Sequence, residues 1–116
     1  MNENSLVTVL IATYNKADAL RYAIESVIWQ TYENFEIWII GDGCTDHSEE
    51  VVTSFDDARV QWFNLPENTG DQSEPHNEGL RRAKGKYIAY LNHDDIWLPH
   101  HLESLLETIE REQADF

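Results

Sequence analysis

The run LVTVLIA at residues 6–12 is seven apolar or β-branched residues without a charge. A strand of that kind must be covered on both faces, so it cannot sit on a sheet with one wet side. Three more strand-like segments follow: FEIWII (35–40), RVQWFNL (59–65) and KYIAYLN (86–92). Helical periodicity separates them. Leu20, Ala23, Ile24, Val27 and Ile28 recur at three- and four-residue spacing between Ala17 and Thr31. Residues 46–55 carry Val51, Val52 and Phe55 inward, and a short helix is predicted around 77–84. Pro99 opens a last helix bearing Leu102, Leu105, Leu106 and Ile109. Strand and helix therefore alternate four times within one domain, residues 1–116. That alternation predicts an α/β fold: an open, mainly parallel sheet with helices on both faces.

Ligands of such sheets sit beyond the carboxyl ends of the strands. The polar clusters fall there: TYN after the first strand, GDG after the second, NHDD after the fourth. Thr13, Tyr14 and Asn15 offer hydroxyl and amide groups and a ring that can stack on a base. Asn15 or Asp18 would equally cap the following helix. Asp42 stands between Gly41 and Gly43, which lets the backbone turn tightly and present a side chain; a carboxylate there could accept the imide N–H of a pyrimidine. Thr45 and Asp46 read as caps. Asp94 and Asp95 are adjacent carboxylates whose repulsion a hard divalent cation would cancel, or Asp95 caps the last helix and its neighbour is solvated. Mg²⁺ and Mn²⁺ prefer oxygen, so His93 suits a ribose contact better than ligation. His100 and His101 point about 100° apart on a helix, which argues against a shared zinc ion.

Charge and cysteine content narrow the partners. With 22 acidic against 8 basic residues the formal charge is −14, a surface that repels nucleic acid and anionic membranes. Cys44 is the only cysteine, so no intrachain disulfide is available and a reducing compartment is expected. No segment approaches the roughly 18 apolar residues of a spanning helix, and MNENS is no signal peptide. The sequence predicts a soluble, cytoplasmic protein.

Two long blocks, VTVLIATYNKADALRYAIESVIWQTYENFEIWIIGDGCTD and ENTG…HNEGLRRAKGKYIAYLNHDDIWLP, resemble the nucleotide-binding half of the family 2 glycosyltransferases. That family reads V-S-V-I-I-P-T-Y-N, then V-D-D-G-S-T-D, N-x-G-L-x-x-A-x-G-x-Y-I and D-A-D-D-x-W-x-P. The resemblance implies a Rossmann-like GT-A fold and transfer of a sugar from a UDP- or GDP-sugar to an acceptor hydroxyl with inversion, as in polysaccharide biosynthesis. It places Thr13 and Tyr14 in the nucleobase pocket, Asp42 on the base edge, and His76 and His93 beside the donor nucleotide. It assigns Asp94 to Mn²⁺ or Mg²⁺, with Asn92 and Asp95 as further candidate ligands. Asn92 stands where the family has the first aspartate of D-x-D, Gly41 where it has the first aspartate of D-D-G, and His76 where an arginine is common. The catalytic base and acceptor site are expected beyond Phe116. The 116 residues alone are therefore expected to bind donor weakly and transfer little, and a sheet edge left open by the fourth strand would favour self-association. The alternative is a non-catalytic nucleotide-sugar-binding or interaction module with a degenerate metal site. A nucleotide-sugar pyrophosphorylase is disfavoured, because ATYNKAD replaces its glycine-rich basic loop.

Overall fold

The computed structural model describes residues 5–113. Its elements run β1 (Val7–Thr13), α1 (Ala17–Ile28), β2 (Phe35–Gly41), α2 (Ser48–Thr53), β3 (Val60–Asn64), α3 (Ser73–Arg82), β4 (Tyr87–Tyr90) and α4 (His101–Gln113). The four strands form one parallel sheet in the order β3-β2-β1-β4. The chain adds strands to one side of β1, then crosses to the other side for β4. β1 and β4 therefore flank the point where the winding direction reverses, the place where such sheets open a crevice.

All seven residues of β1 are buried, as the apolar run predicts. Its alternate side chains serve different layers. Val7, Val9 and Ile11 join Leu20, Ile24 and Val27 of α1, Ile37 and Ile39 of β2, and Leu102 and Leu106 of α4 in one core. On the opposite face α3 lies against the sheet at Gly79, where an added Cβ would come within 2.8 Å of Leu10 Cδ2 and 3.5 Å of Ile40. The glycine is what lets α3 approach that closely.

β4 is less buried than β1. It is an edge strand whose residues are half-buried, and Tyr90 is exposed. The caps depart from expectation. Asn15 adopts φ 49° and turns its side chain to the N–H groups of Thr45 and Asp46. Neither it nor Asp18 caps α1, whose first N–H, on Ala17, donates instead to Asp46 Oδ2 at 3.3 Å. Asp46 also accepts from Ser48, so one carboxylate serves the starts of α1 and α2. Asp95 does not cap α4; buried Gln30 does, its Oε1 accepting from Leu102 N–H at 2.9 Å. The Gln30 amide nitrogen donates to the carbonyls of Ser26 and Leu98, fastening segment 92–100 along the end of α1. α1 stops at Ile28, three residues before the predicted end, and the Thr31 N–H turns to the Pro99 carbonyl at 2.9 Å.

The turn after β2 explains the absence of an acidic side chain at position 41. A Cβ on Gly41 would lie 2.5 Å from Asn64 Oδ1 and 2.7 Å from Trp62. Asn64 cannot swing away freely, because its amide pairs with both the N–H and the carbonyl of Cys44, at 2.8 and 3.0 Å. Two expectations follow from this packing. Gly79→Val should lower the urea-unfolding free energy by about 1–3 kcal/mol through overpacking between α3 and the sheet. Gly41→Asp should cost a similar ~1–3 kcal/mol, and Asn64→Ala in the same chain should recover part of it; an unchanged midpoint in Gly41→Asp would contradict the clash.

Candidate donor-nucleotide site

Three strand ends meet at the crevice. The Asp42 N–H donates to the Thr13 carbonyl at 2.8 Å, carrying the β1–β2 ladder one step past the strands. His93, three residues beyond β4, brings Nδ1 to 3.2 Å from Thr13 Oγ1. Thr13, Tyr14, Asp42 and His93 line one cavity of about 360 Å³, within the range of small-ligand sites. Tyr14 is 44% exposed, so its ring is free to cover a planar group. Burial pushes the His93 imidazole below its ordinary pKa; Asp94 and Asp95 oppose this and Lys16 adds to it. The neutral ring at pH 7 can share a single hydrogen bond with the threonine hydroxyl.

Asp42 is buried, which would be costly for an unpaired carboxylate. The loop after β3 supplies the donors. Asp42 Oδ1 accepts from the Thr69 hydroxyl at 2.7 Å and the Thr69 N–H at 3.0 Å. Oδ2 accepts from Asn68 Nδ2 at 3.1 Å and from the Gly70 N–H at 3.3 Å. Asn68 Nδ2 also donates to the Asp42 carbonyl at 3.0 Å. The loop reaches Asp42 because Gly43, at φ 71°, has no side chain; a Cβ there would sit 2.4 Å from the Asn68 nitrogen. Asn68, Gly70, Asp71 and Gln72 thereby complete the cavity wall.

Sequence reasoning gave Asn68, Gly70, Asp71 and Gln72 no role in the site, although ENTG carries part of the family resemblance. The signal was present: PENTGDQSEP is polar, holds a Gly and an Asn, and follows a strand, so its end belongs to the same rim. What could not be read was its path across β2 to Asp42.

Other expected residues lie apart. Asn15 faces Thr45 and Asp46 and does not line the cavity. His76, on α3, packs edge-on against Tyr90 with ring centroids 4.9 Å apart, and burial lowers its pKa. Asp94 borders a second groove of about 530 Å³ together with Tyr22, Trp29 and Trp97. Asp95 is not an unpaired carboxylate: its Oδ2 accepts from the Asn92 amide at 3.1 Å. His100 and His101 diverge, one toward Glu103 and the other stacked on Trp97. Among the described residues no three His, Cys, Asp or Glu side chains cluster to hold a metal. The donor set fits Mg²⁺ or Mn²⁺ only in the sparse form, one carboxylate with the remaining positions left to phosphate and water. Among the described residues no helix is long and apolar enough to cross a membrane.

An uncharacterized glycosyltransferase of Rickettsia prowazekii is 36% identical over 106 residues, 91% of this chain and 32% of that protein. The chain spans from 16% to 38% of the length of the curated relatives compared. Residues 1–349 of Staphylococcus aureus TarS, in complex with UDP-GlcNAc, superpose with a TM-score of 0.84 at 22% identity, covering 90% of this chain and 31% of that fragment. The mannosyltransferase PcManGT of Pyrobaculum calidifontis, in complex with GDP-Man and Mn²⁺, gives 0.68 at 22% identity over 78% of this chain and 28% of that one. At that identity the two structures establish the fold, a Rossmann-like parallel sheet of the GT-A kind. Residues 8–116 match Glycosyl transferase family 2, and the chain belongs to that family.

Proposed function

We infer that the cavity receives the nucleotide of a UDP- or GDP-sugar, and that the chain is the donor-binding part of a glycosyltransferase. The observation that carries this reading is the meeting of Thr13, Tyr14, Asp42 and His93 in one cavity at the switch point of the sheet. Tyr14 stacks on the base, Asp42 accepts from its edge, and the Thr13–His93 pair faces the ribose. The complexes of TarS with UDP-GlcNAc and of PcManGT with GDP-Man and Mn²⁺ support a nucleotide-sugar donor in this fold.

Asp94 is the residue that would hold Mn²⁺ or Mg²⁺, with Asn92 Oδ1 and Asp95 beside it. A divalent ion there supplies charge neutralisation for the departing nucleoside diphosphate. A single carboxylate is a weak anchor, and the formal charge of −14 disfavours an unaccompanied diphosphate, so ion and donor bind cooperatively. Transfer is an in-line displacement with inversion, the acceptor hydroxyl losing its proton to a general base. The free thiol of Cys44 fits a cytoplasmic setting, and the open edge of β4 suits self-association.

Two observations favour a second reading, a binding module without catalysis: the Asn92 amide ties up Asp95, and Asp94 borders a different groove. Calorimetric titration separates the two. UDP- and GDP-sugars are each titrated with and without Mn²⁺ into wild type and Asp94→Ala. The donor reading expects heat that depends on Mn²⁺ and at least about tenfold weaker binding in the variant, the effect of removing one charged ligand. Heat independent of metal and unchanged in Asp94→Ala supports the module. Silence with every nucleotide sinks the donor site itself.

A further inference from the structure

We propose that Asn68 and Thr69 are positioning residues for base selectivity, acting through Asp42. The proposal rests on the donor-nucleotide reading of the cavity.

The hydrogen bonds on Asp42 are unequal. Oδ1 holds two short bonds, both from Thr69, at 2.7 and 3.0 Å. Oδ2 holds one amide hydrogen of Asn68 at 3.1 Å and a long contact from the Gly70 N–H at 3.3 Å. Each oxygen accepts two bonds, but those on Oδ2 are the longer, so Oδ2 is the oxygen that can exchange a contact for a base N–H. Asn68 bridges the carboxylate and the main-chain carbonyl of the same residue, which fixes the side-chain rotamer. No cation pairs with Asp42 among the described residues, so its negative charge is held by neutral donors of one loop. A base N–H would replace the longest of these contacts, the one from Gly70 at 3.3 Å.

Base chemistry then decides what the oriented oxygen accepts. Uracil and guanine each present a ring N–H on the edge that pairs in a duplex. Cytosine presents a bare ring nitrogen at the equivalent position, whose lone pair would oppose the carboxylate. A fixed Asp42 favours the first two bases and rejects the third. A loosened Asp42 loses that discrimination, because the carboxylate can turn to meet an amine instead. Gly43 is part of the device, since any side chain there would lift the 67–68 backbone away from Asp42.

UDP, GDP and CDP are titrated with Mn²⁺ into the intact chain, with Thr69→Val, Thr69→Ser and Asn68→Ala alongside, and a thermal midpoint is recorded for each variant. Wild type should bind UDP or GDP more tightly than CDP. Thr69→Val should weaken the preferred nucleotide about tenfold with little change for CDP, narrowing the ratio, as loss of a hydrogen bond to a charged group predicts. Thr69→Ser, which keeps the hydroxyl, should restore the ratio, and Asn68→Ala should narrow it as Thr69→Val does. A loss equal for all three nucleotides would reveal a merely structural loop and overturn the positioning role while leaving the donor site standing. No binding of any nucleotide by folded wild type would overturn both.

Discussion

Burial of β1 on both faces is the constraint from which the rest of the molecule is built. Val7, Val9 and Ile11 need one apolar layer, and Leu10 and Ala12 need another. Neither could be left in water without losing about 1.5–3 kcal/mol per large side chain. Covering both faces requires helical crossovers, and the parallel direction of the strands they join puts every carboxyl end on the same rim. The cavity is a consequence of that topology: with β4 placed on the far side of β1, the loops after β1, β2 and β4 part at the switch point. α3 at Gly79 and the 67–70 loop at Gly43 then approach because those two positions carry no side chain.

Polar groups on the rim are held by partners distant in sequence. Asp42 takes its donors from residues 26 to 28 positions away, and Asn15 from residues 30 and 31 away. Asp46 serves α1 across 29 residues, and Gln30 serves α4 across 72. Each of these bonds ties two loops together as well as satisfying a helix end or a buried charge. The rim is thus an interlocked layer of hydrogen bonds above an apolar sheet, and this layer is what holds Thr13, Asp42 and His93 in register.

The fold class was legible because periodicity is a property of one strand or one helix at a time. LVTVLIA shows its double burial in its own residues, and the spacing of Leu20, Ala23, Ile24 and Val27 shows the inner face of α1. Caps were less legible. Short-range rules favoured Asn15 or Asp18 for α1 and Asp95 for α4, whereas Asp46 and Gln30 took those positions. Competition among acceptors is settled by which loops lie together, and a local pattern does not contain that. The wall formed by Asn68, Gly70 and Gln72 was hidden for the same reason: nothing within PENTGDQSEP says that it folds over the second strand end.

The sequence by itself determined an alternating α/β chain, a doubly buried first strand, polar strand ends and the family to which their motifs belong. Each follows from local chemistry or from the order of residues. The tertiary structure alone decided that Gly41 is bare because Asn64 and Trp62 fill its space, and that Asp95 is held by Asn92. It also decided that the buried charge of Asp42 is met by one loop. These are matters of excluded volume and of hydrogen-bond geometry between segments, and they exist only once the sheet has brought those segments together.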